Sequence, residues 1–165
     1  MIRLANKDDT EAIAYVVSTA QKTWVTWAGA ELQLYDVAQL SEQWSQRIDD
    51  LTTISFVYTD ARGHVVAVAS AGPEALSFKP SSTSPDSAHL STLFALPDFH
   101  GSEAAQDLHD HLLSALTAKR YCTVRLWVPQ DANRARRFYA RNGWDETGMQ
   151  THFVGLLRAE LRRSI

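Results

Sequence analysis

The chain contains a single cysteine, Cys122, so it can form no disulfide within itself, and no Cys/His cluster has zinc-ligand spacing. Neither a metal nor a disulfide framework is expected, and Cys122 reads as a small, half-buried side chain. No run approaches the ~20 apolar residues of a membrane span. Met1 to Asp9 carries charges where a secretory signal needs an apolar core, so the expected location is cytoplasmic, away from membranes. Basic charge is not in excess either. Sixteen Lys and Arg against nineteen Asp and Glu give a net charge of −3, which argues against a nucleic-acid partner. What is present is ordinary for a folded domain: 165 residues, 45% hydrophobic and 21% charged. That length can bury a substantial core, and the expectation is one domain over residues 1–165.

Periodicity organises the chain. Ile2 to Leu4 reads as an opening strand. Asp8, Asp9 and Glu11 suit a first helical turn, where carboxylates meet the positive end of the dipole. Ile13, Val16, Val17, Ala20, Trp24 and Trp27 continue at helical spacing, with Gly29 expected to close the helix. Val37, Leu40, Trp44, Ile48 and Leu51 form a second stripe. The tryptophans read first as core packing; Trp24 and Trp27, near a helix end, have a second reading as the wall of a pocket. From Thr52 the period falls to two. Ile54–Tyr58 and Val65–Ala69 flank Asp60-Ala61-Arg62-Gly63, a hairpin signal. Pro73 to Ser87 is rich in proline and serine and is expected to be an exposed loop, either a lid or a disordered tip, with the disordered tip as the first reading. Leu90, Leu93, Phe94 and Leu96 make a buried strand that stops at Pro97, and Ala105, Leu108, Leu112 and Leu116 stripe a long helix. Val124–Val128 is a strand, a short arginine-rich helix follows, and one or two strands close the chain at Ser164 and Ile165. This order predicts an α/β (α+β) fold, with helices on a sheet of mixed direction.

Two stretches carry chemistry. In Leu93 to Gln106 a strand runs into a turn of small residues that opens a helix. A helix start leaves several N–H groups unpaired and pointing one way, a seat for phosphate oxygens, although most such turns are only caps. The second stretch, Arg134 to Trp144, reads RARRFYARNGW. Ala135, Phe138 and Tyr139 share one helical face, the arginines surround the others, and Gly143 sits where a helix ends in a left-handed residue.

In this order, and most specifically in the block VRLWVPQDANRARRFYARNGW, the sequence resembles the acetyl-CoA-binding half of the GCN5-related N-acetyltransferases (GNAT). The resemblance covers Leu90 to Trp144, and the opening strand and two helices also suit the family. It implies a mostly antiparallel central sheet with about four helices, and transfer of an acetyl group from acetyl-CoA to a primary amine by direct attack on the thioester. The main chain at Phe94, Ala95 and Leu96 is then expected to pair with the pantetheine arm, an N–H near Phe94 or Ala95 to stabilise the oxyanion, and the turn and helix start at His100, Gly101, Ser102, Glu103, Ala104, Ala105 and Gln106 to hold the pyrophosphate. Phe138 is expected beside the cofactor. Tyr139 is expected to protonate the departing thiolate, a role suited to a phenol neutral at pH 7.

The sequence departs from the family at two places. The family turn usually reads Gln or Arg, two residues, Gly, one residue, then Gly or Ala; here these positions hold His100, Glu103 and Ala105. A carboxylate at Glu103 faces a like-charged ligand, at a cost of about 4 kcal/mol at ~4 Å and an effective dielectric of ~20, before solvent screening. The competing reading makes Glu103 an acidic first-turn residue that points away, as in a capping box. The family's asparagine position falls on Ala132, while Asn133 lies one residue later, turned by about 100°. Asn133 is therefore a cofactor contact or a helix cap. For the base that takes the ammonium proton, His89 is the candidate on the central strand, with Ser91 on the same face to order a water. Its competing reading is a strand histidine without a role. His109 and His111 diverge on their helix and, with Asp107 and Asp110, are expected to form a solvated face.

Among Arg134, Arg136, Arg137 and Arg141, the resemblance offers a partner for the 3′-phosphate of CoA, against the ordinary reading of an exposed helix face. Glu31, Asp36 and Glu42 offer attraction to a cationic amine or, equally, solvated surface charge. The acceptor amine itself is not legible, and a homodimer is a further expectation from the resemblance. The alternative function is a catalytically impaired acyl-CoA-binding or protein-interaction module on the same fold.

Overall fold

A computed structural model describes residues 1–28 and 31–165. One seven-stranded sheet runs through them in the order β1-β2-β3-β4-β5-β7-β6. Its strands are β1 (Ile2–Leu4), β2 (Ile54–Thr59), β3 (Val65–Pro73), β4 (Ser87–Ala95), β5 (Thr123–Pro129), β6 (Asp145–Phe153) and β7 (Leu156–Ser164). All neighbours are antiparallel except β4 and β5. The helices are α1 (Thr10–Lys22), the one-turn α2 (Val25–Ala28), α3 (Val37–Asp49), α4 (Ala104–Ala118) and α5 (Asn133–Arg141). The fold is the mixed, mostly antiparallel α/β arrangement that the sequence predicts.

Both faces of the sheet are covered, which explains why β2 and β3 are apolar at nearly every position. Alternation sends Val57 and Val68 toward α1 and α3, where they meet Ile13, Val16, Leu40 and Trp44. It sends Phe56, Ala67 and Ala69 to the opposite face, against Leu108, Leu112 and Leu116 of α4. These three leucines are wholly buried. Each contributes about 1.5–3 kcal/mol by leaving water, so α4 is firmly seated on the sheet.

Some expectations need correction. The first helix stops at Lys22 and restarts as α2 after a turn; the closing role given to Gly29 lies outside the described residues. Asp8 and Asp9 belong to a 3-10 turn (Lys7–Asp9) whose capping box joins Asn6 and Asp9. Asp9 is then gripped through both carboxylate oxygens by Arg3, at 2.7 Å each. α3 ends at Asp49, so Leu51 drops out of its stripe and is 95% exposed. Cys122 is exposed rather than half-buried. Residues 73–87 are not a disordered tip. They open with a 3-10 turn (Glu74–Leu76) that buries Glu74 completely, and the Glu74 carboxylate accepts from Ser81 N–H at 3.0 Å.

Candidate active site

The site begins with a parting of strands. β4 and β5 pair only over Ser87–His89 and Thr123–Arg125. Beyond that point β4 stays with β3 as far as Ala95, and β5 stays with β7 as far as Pro129. A register shift leaves Ser91 without a partner on β3, a bulge that sharpens the divergence. The Leu96 N–H bonds the Val66 carbonyl at 2.9 Å. Strand alternation therefore turns the Phe94 amide toward β3 and the Leu93 and Ala95 amides into the gap. Of the two amides expected to face an oxyanion, Ala95 has the required direction and Phe94 does not. Leu96, expected to pair with a ligand, spends its amide on Val66 instead.

An inner cleft of about 210 Å³ fills the parting, walled by Leu93, Phe94, Val128 and Ala135, with Tyr139 and Trp24 also lining it. An outer cavity of about 520 Å³ adjoins it and contains His89, Ser91 and Phe78. The two share Arg47, Leu90, Trp127, Phe153 and Arg158 among their walls. Trp24 thus takes the pocket-wall reading, whereas Trp27 only leans on it, 6.5 Å between ring centres.

At the end of β4 the chain makes a 3-10 turn (Pro97–Phe99), then Gly101 adopts φ +82° and α4 begins. A left-handed residue is needed here, and glycine takes it without a Cβ penalty. Ser102 Oγ donates to the Phe99 carbonyl at 2.7 Å and accepts from Ala104 N–H at 3.3 Å. The amides of Gly101, Glu103, Ala105 and Gln106 have no acceptor among the described residues, as expected at a helix start. Glu103 is exposed and makes no side-chain cap, which removes the capping-box reading. The Gln106 side chain is engaged with Asn142 at 2.8 Å, leaving only its amide for a ligand. His100 sits close enough to Arg134 to feel its charge; burial first, then this cation, lower its pKa against the pull of the Ala95 carbonyl. Arg134 is accordingly the arginine of α5 that neighbours the turn. Arg136 is committed to Glu146, and Arg141 lies over the Phe138 ring at 5.2 Å.

α5 ends as its sequence requires. Gly143 has φ +75°, its N–H bonds the Ala140 carbonyl at 3.2 Å, and Trp144 N–H bonds the Tyr139 carbonyl at 3.1 Å. This is a Schellman cap, and the hydrophobic contact that accompanies one is Trp144 on Tyr139, ring centres 5.5 Å apart. The cap fixes Tyr139 in the cleft wall, 7% exposed. Burial alone raises its pKa above the ordinary phenol value, so the hydroxyl stays protonated at neutral pH.

Two expected contacts are not brought to the cleft. Phe138 turns away and stands edge-on to His109, 5.4 Å between centres. Asn133 is exposed at the first position of α5, lines neither cavity and caps nothing. His109, expected on a solvated face, is wholly buried. Its Nε2 accepts from Trp144 Nε1–H at 3.0 Å, so Nδ1 carries the proton toward Asp110 at 2.7 Å. The helical spacing Ala105-His109-Leu112 held that signal.

His89 lies in the outer cavity with Nδ1 3.3 Å from the Glu74 carboxylate, though not aligned for a hydrogen bond. Behind it, Glu160 accepts from Arg125 at 2.8 Å and from Thr147 Oγ1 at 2.8 Å, and also bonds Ser81. Sequence reasoning missed Glu74, Arg47 and Arg158. Arg47 donates to Ser91 Oγ at 2.6 Å and stacks on Trp44 at 5.0 Å. Arg158 lies over Phe153 at 4.5 Å and Trp24 at 5.6 Å. Glu31, Asp36 and Glu42 line neither cavity, and Asp36 is the N-cap of α3, accepting from Gln39 N–H at 2.8 Å.

An open strand edge beside a helix start with free amides fits what the acetyltransferase resemblance implies, and the comparisons give the family. The sequence profile of the acetyltransferase (GNAT) domain matches residues 25–163. The chain belongs to the GNAT family, a family of N-acetyltransferases. It is 40% identical over 68 residues to uncharacterised N-acetyltransferases of Mycobacterium tuberculosis and Mycobacterium bovis, covering 40% of this chain. That match spans 42% of the length of these relatives. Over 99% of this chain and 97% of the other, its fold matches an N-acetyltransferase from Staphylococcus aureus Mu50 with TM-score 0.78 at 16% identity. A ribosomal-protein-alanine N-acetyltransferase from Brucella melitensis matches over 100% and 99% with TM-score 0.76 at 18% identity. PaiA N-acetyltransferase from Thermoplasma acidophilum, solved in complex with coenzyme A, matches over 100% and 98% with TM-score 0.74 at 15% identity. At these identities the structural likeness speaks for the fold. No described helix is long and apolar enough to cross a membrane.

Proposed function

We propose that this chain, as one domain over residues 1–165, transfers an acetyl group from acetyl-CoA to a primary amine. The observation that carries the reading is the open edge of β4, where amides turned into the gap face a cleft walled by Tyr139. The residues present suit the donor. Free amides at Gly101, Glu103, Ala105 and Gln106, with the dipole of α4 behind them, suit a diphosphate. Arg134 adds a cation beside that seat, and the Ala95 amide suits the amide-rich arm of CoA.

In this reading the amine attacks the thioester carbonyl directly, so no enzyme nucleophile is required. Of the two amides turned into the gap, Ala95 lies nearer the diphosphate seat and suits the arm, which leaves the Leu93 N–H available to the oxygen that gains charge. Tyr139, kept protonated by burial, donates its proton to the departing sulfur. His89, facing Glu74, accepts the proton that the attacking ammonium sheds, directly or through water.

Calorimetry with acetyl-CoA and CoA tests the donor site: micromolar binding supports it, and no binding up to millimolar ligand removes the enzyme reading. Tyr139→Phe is expected to lower kcat about 10²-fold, the low end of the range for a lost proton donor, while acetyl-CoA affinity stays within about twofold. Unchanged turnover would take Tyr139 out of the mechanism.

A second reading is favoured by one observation, the exposed and uncapped Glu103 at the start of α4. If its carboxylate has turned the site into a weak binding module, Glu103→Gly raises acetyl-CoA affinity by about tenfold or more, equivalent to ~1.4 kcal/mol. An unchanged Kd makes the carboxylate a bystander.

A further inference from the structure

Arg158 and Arg47 are both cleft-lining cations without a carboxylate partner. The Arg158 guanidinium makes no ion pair among the described residues; its Nε is fully buried and meets no acceptor. Its neighbours are the faces of Trp24 and Phe153, which attract a cation but cannot accept its N–H groups in the plane of the fork. Arg47 reaches only hydroxyls, Ser91 Oγ at 2.6 Å and Thr92 Oγ1 at 3.4 Å. Both side chains lose solvation, and burial lowers both pKa values, that of Arg158 to about 10. Both remain charged at neutral pH.

The acids nearby do not neutralise them. No carboxylate lines the inner cleft among the described residues. Asp50 lines the outer cavity and lies near Arg47, but it is held by Thr52 N–H and Oγ1 at 2.9 and 2.7 Å and forms no ion pair with that arginine. Glu74 faces Ser81 and His89, and Glu160 is taken by Arg125 and Thr147. Two desolvated guanidinium groups therefore front one cavity without a carboxylate: Arg158 Nε has no acceptor, and Arg47 donates only to neutral hydroxyls. A buried charge is costly unless paired, and the planar fork matches a carboxylate. The outer cavity, about 520 Å³, is of small-molecule size.

We propose that the acceptor is a small amine that also bears a carboxylate, of the amino-acid type, with Arg158 and Arg47 holding the carboxylate. The acceptor side thus selects by a cation clamp rather than by acidic attraction to the amine. The inference rests on the acetyltransferase reading for the amine half alone; the anion site stands without it.

Two measurements separate them. Calorimetry titrates N-acetyl-L-phenylalanine and its carboxamide into the wild-type protein, into Arg158→Gln and into Arg158→Lys, with the thermal midpoint of each variant recorded. The wild type is expected to bind the acid at least tenfold more tightly than the amide, Arg158→Gln to lose that preference, and Arg158→Lys to keep part of it. Acetyl transfer to paired L-amino acids and their carboxamides is then followed by CoA release. The acids are expected to win by tenfold or more in kcat/KM, mainly through KM, with the ratio falling toward one in Arg158→Gln. No preference for the acid in either measurement overturns the proposal, even where acetyl-CoA binds well. Preference without any acetyl-CoA binding keeps the anion site and overturns the acetyltransferase reading. If Arg158→Gln lowers kcat equally for acid and amide, Arg158 acts on the thioester and the clamp is overturned.

Discussion

Two neighbouring positions on β7 treat charge in opposite ways. Glu160 is 1% exposed and fully answered: Arg125 at 2.8 Å, Thr147 at 2.8 Å, and Ser81. Arg158, two residues earlier on the same strand face, has aromatic rings around it and no acid. The same contrast separates Arg3, held by both oxygens of Asp9, from Arg47 in the cleft. Where the protein needs only to stand, it pairs its buried charges internally. Where it borders a cavity, it leaves two cations open, and an unanswered charge points to a ligand that supplies the missing partner.

The sharpest way to break this comparison is to remove each member and measure stability. Glu160→Ala strands the Arg125 guanidinium, whose side chain is 17% exposed, and is expected to cost about 3–5 kcal/mol in urea denaturation, as for other broken buried pairs. Arg158→Gln strands nothing, because no carboxylate depends on it, and is expected to fall within about 1 kcal/mol of the wild type. Comparable losses at both positions would show Arg158 to be a structural residue and dissolve the contrast.

The difference also explains what could be read from the sequence. The strands, α4 and the Tyr139 block were legible because their signals are local: the short apolar run Val65–Ala69 after a turn, the leucine stripe of α4, and Gly143-Trp144 at the helix end. The Schellman cap needs only consecutive residues, so the motif carries its own geometry. The cleft does not. Arg47 comes from α3 and Arg158 from β7, 111 positions later, and each alone looks like surface charge. Glu74 was hidden by its proline- and serine-rich surroundings, since only the folded segment brings Ser81 back onto its carboxylate. Phe138 and Tyr139 are adjacent in the chain but face different partners. Resemblance marked both, while only the placement of His109 and the cleft separates them.

A smaller effect extends the comparison to a group that stays neutral. His109 is buried, and burial lowers its pKa, against the pull of Asp110 and with a further push from Arg163. The folded state therefore binds fewer protons than the unfolded state below the unfolded pKa of ~6.5. Its contribution to stability is full above that pH and is lost as pH falls through the folded value. Urea midpoints are expected to drop between pH 7.5 and 5.5, and the drop to shrink in His109→Gln, whose amide oxygen can still accept from Trp144. An equal drop in both proteins would assign the pH dependence elsewhere.

The smallest effect concerns the cleft wall itself. β6 and β7 are joined by Val154 and Gly155, with φ +48° and +86°, between the paired residues Phe153 and Leu156. Two positive φ values in a two-residue hairpin loop suit Asn-Gly, and a β-branched residue in the left-handed region is strained by about 1–2 kcal/mol. Val154 lines the inner cleft, as Arg158 does. Val154→Asn is expected to stabilise the fold by about 1 kcal/mol, raising the thermal midpoint by ~2–4 °C. If the midpoint rises while the KM for the acceptor also rises, the apolar wall has been kept at the expense of backbone comfort, and the cleft holds conformational strain beside its unpaired charges. If the midpoint does not move, packing of Val154 against its neighbours offsets the strain, and the unpaired arginines are what distinguish the cleft from the paired side of β7.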